Sequence, residues 1–86
     1  MKVVIVGAGE VGFNLARYLA AGRNEVAIIE IDPAKCARLD EAMDVVVLRG
    51  SGTNPSVLKE AGVETASMLV AVTDSDDTNM MAVYVA

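Results

Sequence analysis

Gly7, Gly9 and Gly12, with Ala8, Glu10 and Val11 between them, form a G-x-G-x-x-G pattern directly behind the apolar run Val3-Val4-Ile5-Val6. The chemistry available here belongs to the backbone. A strand, a tight glycine turn and a helix start in succession aim several N–H groups and the positive end of a helix dipole at one point, which suits a pyrophosphate. Gly7 permits the turn, Gly9 lets the backbone approach the phosphates, and Gly12 allows close packing of the helix on its strand. Glu10 and Val11 contribute N–H groups. The pattern alone is a weak signal, so the reading rests on its surroundings.

The strongest neighbour is Glu30, 18 residues beyond Gly12, at the end of the second apolar run. A carboxylate there can accept from both hydroxyls of an adenosine ribose and would repel a 2′-phosphate, which favours NAD over NADP. The stretch Glu30-Ile31-Asp32 supplies no Arg to offset that repulsion. Asp32 is a rival acceptor, but its place before Pro33 suits helix capping better. Gly50-Ser51-Gly52-Thr53 brings small polar groups and open backbone to where an adenine would lie, through Ser51 and Thr53. Thr73 and Asp74 follow the fourth apolar run, beside the point where strand order is expected to reverse. For Asp74, capping the next helix is an equal alternative, and Asp76, Asp77 and Asn79 suit a helix start and solvated face better than a metal.

These residues need elements to hold them. A first helix is expected over 11–21, with Val11, Leu15, Tyr18 and Leu19 facing the sheet and Gly22 as its cap. Strands are expected at 3–6, 25–31, 44–48 and 67–72, and helices at 33–43 and 55–61, each opened by an Asp-Pro or Asn-Pro pair. A last helix is expected over 78–86, behind the acidic run Asp74-Ser75-Asp76-Asp77, and the chain would stop inside it. Strands alternating with helices imply an α/β, Rossmann-like doubly wound parallel sheet of order 3-2-1-4, truncated after the fourth strand and its helix. The whole chain, 1–86, is then one dinucleotide-binding domain and a fragment of something longer.

Composition narrows the classes. With 53% hydrophobic but only 3% aromatic residues, the chain is rich in the small aliphatics of parallel strands covered by helices. Eighty-six residues bury only a little over ~60% of the unfolded surface, so a ligand or partner is expected to matter for stability. The net charge of −5 and scattered Lys and Arg residues disfavour nucleic acid. Apolar stretches fall short of the roughly 18 residues a spanning helix needs, so no membrane insertion and a cytoplasmic location are expected. Cys36 is the only cysteine and histidine is absent, which leaves a zinc site almost without ligands. Cys36 shares a helical stripe with Leu39 and Met43 and reads as core, as Met80 and Met81 read as packing or partner-surface residues.

The opening segment through Gly12, the Glu30 strand end, Arg49-Gly50-Ser51-Gly52-Thr53, Leu58-Lys59-Glu60-Ala61-Gly62 and the stretch from Leu69 to Met80 together carry a resemblance. The chain resembles, over essentially all its length, the KTN or RCK nucleotide-binding domain at the N-terminus of Trk-system potassium-uptake regulatory proteins. That resemblance implies a non-catalytic cytoplasmic subunit that binds NAD or NADH, or ATP or ADP in some relatives. It further implies assembly as a homo-oligomeric ring under a membrane potassium transporter subunit, at the inner face of the cell membrane. It places nucleotide contacts on Gly7 through Val11, Glu30, Thr73 and Asp74, with Ser51 and Thr53 as further candidates. ATP-preferring relatives often carry Arg in the glycine turn, where this chain has Glu10, and that departure counts against ATP. The alternative class is the cofactor half of an NAD-dependent dehydrogenase, whose substrate pocket and acid or base a further domain would have to supply.

Overall fold

In the computed structural model, the backbone is described for residues 1–72 and 80–84 and the side chains for 1–72. β1 (Lys2–Val6), α1 (Glu10–Ala21), β2 (Glu25–Glu30), α2 (Pro33–Ala42), β3 (Val46–Arg49) and α3 (Pro55–Ala61) alternate along the chain. A 3₁₀ turn at Val63–Thr65 leads into β4 (Met68–Val72), and β5 (Met80–Tyr84) follows. The sheet order is β3-β2-β1-β4-β5. The pairs β1–β2, β2–β3 and β1–β4 are parallel, so the order reverses beside β1 as expected for a doubly wound α/β sheet.

Two cores form because alternate residues of each strand face opposite sides of the sheet. On one side Val3, Ile5, Val26, Ile28, Val70 and Val72 pack under Phe13 and Ala16 of α1 and Leu39 of α2. On the other, Val4, Ala27 and Ile29 pack against Ala61 of α3 and Ala66. The start of α2 is capped by the Asp32 carboxylate, which accepts from Ala34 N at 2.9 Å, and that of α3 by Asn54, accepting from Ser56 N at 2.9 Å. Both have proline in the first turn, so these two helix starts lie where the Asp-Pro and Asn-Pro pairs put them.

Two expectations need correction. The helix expected over 78–86 is not what forms: Met80–Tyr84 is a strand, antiparallel to β4 with Met68 opposite Tyr84 and Val72 opposite Met80. A five-residue segment gains little as an isolated helix, whereas pairing satisfies the N–H and C=O groups along the open edge of β4. The acidic run before it, and its capping role, lie outside the described residues. Second, α1 turns a different face to the sheet: Gly12, Phe13 and Ala16 are buried, Leu15 and Leu19 are partly so, and Val11 and Tyr18 are 40% and 77% exposed. The cause is Gly12, whose missing Cβ would collide with Gly7 O, so the helix lies on β1 at that residue and the arc around it becomes the core face. Gly22 caps α1 as expected, donating to Leu19 O at 3.1 Å, and the left-handed turn beyond it is made by Arg23, at φ 64°.

Candidate functional site

The carboxyl ends of β1, β2 and β3 bring the sequence candidates together. Gly7 leaves β1 at φ 101°, with its N–H donating to Ile29 O at 2.8 Å, and a Cβ there would collide with Val72 O. That conformation and that contact together require glycine. Gly9 then takes the cap position of α1, and Phe13 N donates to Gly9 O at 2.8 Å, closing the first helical bond. As at any helix start, the N–H groups of Glu10, Val11 and Gly12 have no partner within the helix, and the positive end of its dipole lies with them.

Glu30 ends β2 and is 6% exposed, a buried carboxylate that needs strong partners. Its Oε1 accepts from Ala8 N at 2.7 Å and its Oε2 from Asp32 N at 2.8 Å. The Ala8 N–H is therefore turned to the acid, and the donors left for an anion are those of the helix start. Asp32 spends its carboxylate on capping α2, the role its place before Pro33 suggested. Glu10 reaches away from the turn to Arg38 of α2, 3.4 Å away, and the Arg38 guanidinium lies 4.0 Å from the centre of the Phe13 ring.

A cleft of about 150 Å³ opens beside Glu30, bounded by Val6, Gly7, Ile29, Ile31 and Gly50–Gly52. Its walls are apolar and Ile31, at 68% exposed, stands at its rim. Ser51 lines it, while Thr53 is exposed and stiffens the loop: the two hydroxyls are 2.7 Å apart and Thr53 N donates to Ser51 Oγ at 3.2 Å. Thr73 and Asp74 lie outside the described residues. A larger concavity of about 460 Å³ sits at the opposite edge, among Lys2, Glu25, Asp44 and Glu60. It has three acids and the amino ends of the strands, which suits no phosphate.

At this edge the sequence reading missed the place of Arg49 and set Cys36 too deep. Arg49 stands opposite Glu30 in the β2–β3 register, so the acid does have a cation on the next strand. Only the pairing of β3 with β2 could have exposed it. Cys36 is half-buried rather than fully core, with its thiol 3.4 Å from Glu30 O and donating to it. Burial first and the Glu30 charge second push its thiol pKa up, against a smaller opposing pull from Arg49. Among the described residues no group of three or more His, Cys, Asp or Glu side chains is placed to hold a metal ion, and no helix is long and apolar enough to cross a membrane.

The geometry therefore presents a helix N-terminus, a buried acid at the second strand end and an apolar cleft along one sheet edge. The family model described as the TrkA-N domain matches residues 3–86. The Trk system potassium uptake protein TrkA of Halomonas elongata is 42% identical over 86 residues, covering 100% of this chain and 19% of that protein. The protein of the same name from Azorhizobium caulinodans is 46% identical over 85 residues, 99% of this chain and 19% of its own length. A Trk system potassium uptake protein TrkA homolog from Archaeoglobus fulgidus is 45% identical over 82 residues, 95% of this chain and 18% of its own. The chain spans about a fifth of the length of these relatives. It belongs to the TrkA-N family, whose Rossmann-type α/β fold it has.

Proposed function

We propose that the chain is the nucleotide-binding module of a regulatory subunit of a potassium uptake system, taking NAD or NADH along the carboxyl edge of its sheet. The observation that carries this reading is the buried Glu30 carboxylate, joined to the glycine turn at Ala8 and adjoining both the α1 N-terminus and the cleft. The donor set fits the group: free N–H groups at Glu10, Val11 and Gly12 suit the pyrophosphate, Glu30 the ribose hydroxyls, and the cleft by Gly50–Gly52 the adenine. Thr73 and Asp74 enter on their sequence position after β4. Within this reading the chain binds the nucleotide and releases it unchanged.

The names of the relatives, Trk system potassium uptake proteins, support the potassium system. Within it, the module would act in a homo-oligomer on the cytoplasmic side, peripheral to the membrane, and report its bound state to a membrane potassium transporter subunit. A ligand can do so only by binding two arrangements of the subunit with different affinity.

Isothermal titration of the chain with NADH, NADPH and ATP tests the site. NADH should bind, NADPH should bind roughly tenfold more weakly because two carboxylates, Glu30 and Asp32, oppose a 2′-phosphate against the one charge of Arg49, and Gly9→Val should weaken all three together. No NADH binding, or equal binding by Gly9→Val, would overturn the assignment. In the full-length protein reconstituted with its transporter, potassium flux should lose its NADH response in Glu30→Ala.

A further inference from the structure

Glu30 makes more contacts than an acceptor waiting for ribose requires. Its carboxylate takes the N–H of Ala8, in the glycine turn, and of Asp32, in the link to α2. Its main-chain oxygen takes the N–H of Gly50 at 3.0 Å, where the loop after β3 begins, and the Cys36 thiol in the first turn of α2. One residue thus ties together the three described loops that border the site. We propose that Glu30 is a positioning residue, whose carboxylate sets the glycine turn for phosphate and the link to α2 in addition to meeting the ribose. This rests on the nucleotide reading above.

An ionised carboxylate has about four lone-pair sites, so two amides leave two for hydroxyls, and both jobs are compatible. Bonds from amides to a buried carboxylate are charge-assisted and stronger than neutral ones. Ala8 lies between the left-handed Gly7 and the α1 cap Gly9, so holding its N–H fixes the direction in which the following donors point. Replacement by glutamine keeps the size and one acceptor oxygen but turns the other into a donor, which cannot receive an amide. One of the two loops is then released. Phosphate recognition should suffer even from a ligand with no ribose hydroxyl.

The test compares the parent chain with Glu30→Gln for ADP and for 2′,3′-dideoxy-ADP, together with amide hydrogen exchange in the absence of ligand. We expect Glu30→Gln to bind the dideoxy nucleotide roughly five- to tenfold more weakly than the parent does. Exchange at Ala8 or Asp32 should rise at least tenfold while that at Ile28, in the core of β2, stays as in the parent. Unchanged affinity for the dideoxy nucleotide, with a loss confined to ADP, would make Glu30 a ribose acceptor only. Unchanged exchange at both amides would overturn the clamp whatever binds. If the parent takes up neither nucleotide, the nucleotide reading fails and the exchange rates alone decide the clamp. Should Ile28 exchange rise equally, Glu30→Asp is the second variant: it keeps the charge but is too short to reach both amides, and the same two readouts apply.

Discussion

At the residue scale, the site turns on how one buried carboxylate is satisfied. Glu30 is acceptable at 6% exposure because both its oxygens receive backbone donors, and those donors come from the loops a nucleotide would touch. Its charge also reaches Cys36, whose thiol is held protonated by burial and then by Glu30. Alkylation of Cys36 by iodoacetamide, followed against pH, should therefore show a midpoint above the ordinary thiol value of roughly 8.5, returning to it in urea. The folded state binds this proton more tightly, so its contribution to stability is complete below the unfolded thiol pKa and is lost as pH rises through the folded one. A midpoint at or below that of the unfolded chain would contradict the shielded thiol seen beside Glu30.

At the element scale, the turn after α1 carries an identifiable strain. Arg23 adopts φ 64° without the freedom of glycine, and Asn24, whose N–H and side-chain amide both reach Leu19 O, holds it there. A left-handed conformation costs a non-glycine residue roughly 1–2 kcal/mol, and glycine returns part of that gain as extra freedom in the unfolded chain. Arg23→Gly should thus raise the unfolding free energy by about 0.5–1 kcal/mol in urea denaturation. A loss of stability would mean that Arg23 contributes an interaction outweighing its backbone strain. The same helix shows how an element is oriented by contact rather than pattern, since Gly12 against Gly7 sets which arc of α1 meets the sheet.

At the scale of the whole molecule, a small sheet with a core on each side stands to gain stability from a ligand that binds only the folded state. The Cα radius of gyration is 11.5 Å, and both cores draw on β1 and β2, the strands whose carboxyl ends build the site. A ligand bridging those ends acts on the same strands that hold the fold. NADH at 100 times its Kd should stabilise the chain by about 2.7 kcal/mol, which for a domain of this size is a rise in Tm on the order of 10–20 °C. Scanning calorimetry checks it, and adenosine, which carries no phosphate for the α1 N-terminus, should give a much smaller rise at the same concentration. An unchanged Tm at saturating NADH would count against binding to the folded state.

The glycine turn, the acid at the end of β2, the two proline-marked helix starts and the 3-2-1-4 order were legible in the amino-acid sequence, because each depends on local rules: backbone freedom, capping, alternation and the handedness of crossovers. Asp32 as a cap belongs with them, since Pro33 is its neighbour. The contacts that cross the chain were not legible. Arg49 came beside Glu30 only through the register of two strands separated by α2, and Val11 and Tyr18 were left outward only once Gly12 settled against Gly7. The segment Met80–Tyr84 became a strand because β4 offered it an open edge, a choice its own residues do not make. Likewise nothing near Glu30 in sequence says that Ala8 and Gly50 lean on it. Local propensity determines which elements a segment can form, whereas the pairing of buried donors with acceptors is a property of the assembled sheet, and the site was decided there.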